Sequence, residues 1–338
     1  MTVISPNMKS LYSKLGAVGY NTAYVKSLLP DWWNDEIAET PAGFQQASLI
    51  LGQTFGVRAE TLWTKNTKPA LNLPKGIRFK HRENIAVDDL SVACAVARSL
   101  ARIVLKAFPD KPRPNFYLDA NELREQLLKR NKWISFKDVL NYCLEIGIPV
   151  IHLQHLPNKA KKMEGLAFEQ GGRPVIVLTR QRPHGYMLFD LAHELGHITL
   201  GHVTAESTIV DQKIDAEADD EDERAANRFA LELLTGNPEC NIVPVGRWLN
   251  GNELASAAIH FGENNQVDPL HIVLNYGKSK NLWGAANAAI VEIAKNAPSD
   301  QQTLQISLMS LLDMEELTEA ANGLEQLFVM EKAKCSGV

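Results

Sequence analysis

The sequence predicts a mainly helical α+β chain in three parts, with one small sheet in the middle part. Three observations carry this. Apolar residues recur at helical spacing near the start of the chain, and the tail from Gly246 reads as mostly helical. Short β-branched runs bounded by Gly and Pro occur between them, at 149–153 and 175–178. Helical segments follow the second run, one from Asp190 and one from Glu223 to Leu234.

The elements follow in order. Leu11, Leu15 and Val18 fall at i, i+4 and i+7, one face of a helix. A second helix runs from Pro41 to Phe55, with Pro where its missing N–H costs nothing, and Gly56 ends it. Val57 to Trp63 restarts a helical pattern. The stretch from Thr64 to Asn84 has no clear period, contains Pro69 and Pro74, and carries Lys65, Lys68, Lys75, Arg78, Lys80 and Arg82; it reads as a basic linker. A long helix from Asp88 to Phe108 stops at a Pro-rich stretch. Val139 to Leu144 is helical and Gly147 stops it before the first strand. Asp190 is a good N-cap for the next helix. The acidic stretch Asp219 to Glu223 precedes the last helix of this part, which stops before Gly236 and Pro238. The division is 1–84, 85–240 and 241–338.

Composition narrows the functional classes. A formal charge of −5 and a pI near 6.0 argue against a polyanion-binding chain as a whole. Cys94, Cys143, Cys240 and Cys335 form no CxxC pair, which suits a reducing compartment and argues against a Cys-zinc site. The N-terminus lacks a secretory pattern, and the apolar run Leu188 to Leu200 is broken by Asp190, His193, Glu194 and His197. The expectation is a soluble cytoplasmic protein without a membrane span.

That broken run holds the chemistry. His193-Glu194-Leu195-Gly196-His197 is an HExxH sequence inside a helical segment. Histidines at i and i+4 share a helical face, so both rings can converge on one ion. Zinc there needs a third protein ligand and keeps one position for water, whose proton Glu194 can take as general base. Leu200 and Val203 stand where a metzincin extension would have Gly and His. Glu223-Arg224-Ala225-Ala226-Asn227 instead fits the gluzincin form Glu-x-x-Ala-Asp/Asn, so Glu223 is the expected third ligand. Asp220, Glu221 and Asp222 crowd the same spot, and the other reading of Glu223 is a plain helix-start acid. Asn227, one turn on, can hold a ligand histidine by a hydrogen bond.

The stretch from Gly165 to Leu234 resembles the ImmA/IrrE metallopeptidase family. The resemblance lies in Arg173-Pro174-Val175-Ile176-Val177-Leu178, in Phe189-Asp190-Leu191-Ala192 with the HExxH residues, and in the helix from Glu223 to Leu234. Weaker similarity runs from about Asp88 to about Asn287 and includes Val267-Asp268-Pro269. The family usually has Thr where this chain has Asp190, and often a second Glu where it has Ala225; neither departure removes a proposed ligand. The resemblance implies a zincin-like domain, in which a small sheet carries the HExxH helix and the Glu-bearing helix. It also implies an intracellular, site-specific zinc endopeptidase that cleaves a helix-turn-helix repressor and switches on stress, mobile-element or defence genes. The alternative is a DNA-binding regulator or antitoxin-like protein whose peptidase domain serves sensing or interaction.

Weaker signals complete the reading. Leu51 to Val57 resembles the middle of a helix-turn-helix, with Arg58 to Asn66 as reading helix and DNA as regulator or ligand. An ordinary helix pair fits the same residues. His184, Tyr186, His260, His271 and Tyr276 are candidates to steady the tetrahedral oxyanion. Cys94 or Cys143 is a candidate latency thiolate, against the commoner buried apolar cysteine. His202 is expected to pack against the sheet.

Overall fold

Asn7, Asn21, Asn34 and Thr40 each combine an extended backbone with a side-chain acceptor, and each caps the start of a helical element. In the computed structural model these are α1 (Met8–Ala17), α2 (Thr22–Ser27), a 3-10 turn (Asp35–Glu39) and α3 (Pro41–Phe55). The structure describes residues 7–30, 32–73, 76–80, 87–111, 119–154, 156–157, 165–204, 207–211, 221–238 and 246–321. After Gly56 comes α4 (Ala59–Trp63), which buries Leu62. The Lys14 ammonium donates to the carbonyls of Thr61 and Thr64, at 2.9 and 2.8 Å, and so ties the end of α4 to α1. The proposed reading helix is thus only these five residues long.

The segment expected to be an irregular linker is partly a strand. Gly76–Lys80 forms β1 and pairs in parallel with β5 (Ser207–Asp211). Its partner lies far along the chain, so local pattern carried little of the signal, although Ile77 and Phe79 do alternate with Arg78 and Lys80. The remaining linker residues Pro74 and Lys75 and those from His81 to Asn84 lie outside the described residues.

The long helix is α5 (Val87–Ala107), and among its many buried residues Leu90, Cys94, Ala97, Ala101 and Val104 recur every three or four positions. It touches both α3 and the strand Gly165–Gln170, so the N-terminal helices and the sheet share one apolar core. Next come α6 (Ala120–Leu128), α7 (Phe136–Glu145), β2 (Val150–His152), β3 (Gly165–Gln170) and β4 (Arg173–Leu178). Strands β3 and β4 form a hairpin whose two turn residues, Gly171 and Gly172, both have positive φ, at 60° and 81°. The sheet order is β1-β5-β3-β4-β2, with β2 parallel to β4 and β5 antiparallel to β3. The fold is α+β and mainly helical.

Beyond the sheet come α8 (Tyr186–Thr199), α9 (Glu221–Thr235), α10 (Gly251–Asn265), α11 (Pro269–Lys280), α12 (Trp283–Ile293), α13 (Asp300–Met309) and α14 (Met314–Ala321). Helices α10, α11 and α12 enclose a second core around Leu254, Ala258, Val273, Ala286 and Ile290. Leu304, Leu308, Leu312 and Leu317 return to the first core. Among the described residues no helix is long and apolar enough to cross a membrane.

One buried cation joins α6, α9 and α10. The Arg124 guanidinium donates to the carbonyls of Leu233, Leu234 and Gln266 at 3.0, 2.9 and 2.8 Å, at the C-terminal ends of α9 and α10, where the helix dipoles favour positive charge. Arg124→Met keeps the apolar stem and strands these carbonyls. A loss of about 1–3 kcal/mol or more is expected in urea unfolding; an unchanged midpoint would show that the carbonyls find other partners.

Candidate metal centre

Helix α8 is buried nearly all round, with Met187, Leu188 and every residue from Asp190 to Ile198 out of solvent. It lies against β3, β4, α7, α9 and α11. Its start corrects the expectation for Asp190. The N-cap is Gly185, and Asp190 sits inside the helix, buried, 3.9 Å from the Arg182 guanidinium. Met187 and Leu188 extend the buried face toward the N-terminus, and that packing outweighs the capping preference of an Asp.

Two close approaches fix the site. A Cβ at Gly196 would lie 3.1 Å from the Phe229 ring and 3.3 Å from the Ala226 Cα, so α9 packs nearly backbone to backbone on α8 there. Glu223 stands one turn before Ala226, and His193 and His197 flank Gly196. The crossing therefore carries the Glu223 carboxylate onto both rings. At Gly165, the first residue of β3, a Cβ would overlap the Glu194 carboxylate, so the strand leaves room for that side chain only as glycine.

The ligand atoms converge. His193 Nε2 and His197 Nε2 are 3.0 Å apart, with Glu223 Oε2 3.4 Å from the first and Glu223 Oε1 3.1 Å from the second. Bonds of about 2.0–2.1 Å to one tetrahedral ion would put neighbouring ligand atoms about 3.3 Å apart. His193 Nδ1 faces Asn227 Oδ1 at 3.0 Å, which can only accept, so Nδ1 carries the proton and Nε2 presents a lone pair. All three residues are buried, His193 and His197 fully. Lone pairs held this close without water repel unless a cation lies among them, and this donor set fits a divalent metal. Among the described residues it is the one group of His, Cys, Asp and Glu with such convergence. Burial alone would raise the Glu223 carboxyl; when both facing rings are protonated, hydrogen bonds and charge from His193 and His197 outweigh it and hold it well below the usual carboxylate range.

The other candidates separate. His271 stacks on Phe189 with ring centroids 6.2 Å apart, and Phe189 in turn lies 6.4 Å from the His193 ring. Burial lowers His271 to about 4, so it is neutral near pH 7, and its Nε2 has no hydrogen-bond partner among the described residues. His184 faces Asp300 at 3.4 Å, Tyr186 stacks on Trp283, exposed His260 bonds Asn264, and the Tyr276 hydroxyl accepts from the Leu249 N–H. Among the described residues, none of these three histidines joins the ligand cluster.

Neither Cys94 nor Cys143 is in the cluster, and burial raises both thiols, Cys94 to about 12, so both stay protonated. His202 does not simply pack on the sheet. Its ring lies on His197, Nδ1 to Nδ1 at 2.9 Å. No helical period predicts that contact, because His202 stands beyond the end of α8. Gly165 was equally hidden, since its reason is a side chain from another element.

A sheet-backed helix carrying HExxH, crossed by a helix that supplies a glutamate to the same point, defines a domain of the metallopeptidase class. Residues 145–240 match the model of the family Peptidase_M78, described as an IrrE N-terminal-like domain. This bears out the resemblance to ImmA/IrrE metallopeptidases in the segment that holds β2 to α9. Neither curated proteins nor solved structures gave a significant match to the chain.

Purified protein should carry close to one divalent metal per chain by elemental analysis. Glu223→Gln should lose most of it, whereas Glu221→Gln, exposed on the same helix, should retain it. Equal retention by both would remove Glu223 from the ligand set.

Proposed function

We propose that the protein is a zinc endopeptidase in which His193, His197 and Glu223 hold the metal and Glu194 is the general base. The observation that carries this reading is the convergence of two imidazole nitrogens and a carboxylate at 3.0–3.4 Å in a buried site. The chemistry that zinc supplies when bound there is polarisation of the scissile carbonyl and acidification of the attacking water. Glu194 takes the proton from that water and delivers it to the leaving amine. Burial of Glu194 against Gly165 keeps its carboxylate on one side of α8, beside His193 in sequence. Asn227 holds His193 as the Nδ1–H tautomer, so Nε2 remains a ligand.

The substrate in this reading is a helix-turn-helix repressor, cleaved at one or few bonds in a stress, mobile-element or defence response. Support comes from the family match over 145–240. The N-terminal helices, which share a core with α5 and the sheet, serve docking or regulation rather than DNA reading. The site of action is the cytoplasm.

Incubation with a repressor encoded beside the gene should give discrete fragments that a chelator abolishes. Glu194→Gln should keep full metal content and lose cleavage; normal cleavage by this variant would remove Glu194 as base. Gly165→Ala, which displaces that carboxylate without touching a ligand, should likewise cut turnover while metal stays bound. The full chain should show no salt-dependent affinity for duplex DNA, and a specific footprint lost with Arg58→Ala would favour the DNA-binding alternative.

A further inference from the structure

The two ligand histidines are supported differently. His193 leans on an amide oxygen, but His197 leans on another imidazole. Past the end of α8 the chain turns at Gly201, and the His202 backbone N–H donates to the His197 carbonyl at 2.9 Å. This seats the two rings edge to face, with centroids 5.1 Å apart and Nδ1 atoms 2.9 Å apart. On its other side His202 Nε2 lies 3.6 Å from Asp222 Oδ1. Asp222 immediately precedes Glu223, so α9 supplies the carboxylate ligand and also the groups behind both histidines, Asn227 for one and Asp222 for the other.

We propose that His202 is a positioning residue that fixes the tautomer and ring orientation of His197, with Asp222 orienting His202. This rests on the zinc-site reading above. One hydrogen fits between the two Nδ1 atoms, and its owner decides whether His197 can bind metal. If His202 owned it, the His197 proton would sit on Nε2, aimed at His193 and Glu223, and no lone pair would face the ion. A neutral imidazole carries one N–H. The Asp222 carboxylate draws that N–H to His202 Nε2, which leaves His202 Nδ1 bare and able only to accept. His197 then keeps its proton on Nδ1 and turns a lone pair inward. An acceptor is therefore needed at position 202, and its bulk alone is not enough.

The test uses the full chain, stripped of metal and titrated with zinc in competition with a chromophoric chelator. His202→Leu keeps the bulk and removes the acceptor. It should weaken zinc binding about 10–100-fold, with the far-UV circular dichroism and melting of the metal-free protein unchanged. His202→Asn places an amide oxygen near the Nδ1 position and should recover most of that affinity. Asp222→Ala, partly exposed on α9, should weaken binding in the same direction by less, and it decides the question if the Leu variant does not fold. Tight wild-type binding with Leu and Asn variants alike, whether both tight or both weak, overturns this inference alone. So does unchanged affinity in Asp222→Ala when the Leu variant is unfolded. Failure of the wild type to bind zinc overturns the zinc-site reading and this inference together.

Discussion

The contact between α8 and α9 at Gly196 and Ala226 is the constraint on which the rest of the site depends. Two helices approach this closely only where a side chain is missing, and Gly196 supplies the gap. Once the crossing point is set, helical geometry does the remaining placement. His193 and His197 lie on either side of the gap along α8, and Glu223 lies one turn before Ala226 on α9. Asp222 and Asn227 stand on the same stretch of α9, to either side of Glu223 and Ala226, and meet His202 and His193 respectively. A larger residue at 196 would push α9 outward and separate the carboxylate from both imidazoles.

The surrounding fold serves this crossing. The sheet closes one side of α8, and β3 begins with the glycine that makes room for Glu194. Arg124 holds the far end of α9 by its last carbonyls, so that helix is fixed at the metal end by packing on Gly196 and at the other end by a buried guanidinium. Helix α11 from the second core lays His271 against Phe189, which flanks His193. Buried polar groups are costly unless paired; His193 faces Asn227 and His197 faces His202, and the His271 Nε2 is an exception, with no hydrogen-bond partner among the described residues.

The HExxH residues and the Glu-x-x-Ala-Asn turn were legible because a helix converts fixed spacing into fixed geometry. The same holds for α3, bounded by a proline and a glycine, and for the buried run in β4. Strands were less legible. Strand β1 alternates apolar and basic residues over only five positions, and its partner β5 comes more than a hundred residues later, so neither declares itself locally. Hairpin β3–β4 did leave a mark, the Gly171-Gly172 pair, which the apolar run after it obscured. The start of α8 was misplaced because a capping preference of an Asp is weak beside the burial of Met187 and Leu188.

By itself the sequence determined the fold class, the two helices of the site, and which residue types stand at ligand spacing on each, since those follow from periods of 3.6 residues within single elements. Only the tertiary structure decided what lies between elements: that α9 crosses α8 at a glycine, that Glu194 rests on Gly165, and that His202 turns back onto His197. Those contacts join residues whose separation along the chain has no fixed relation to their separation in space. Their energies come from packing and from the pairing of buried polar groups, which no local pattern encodes.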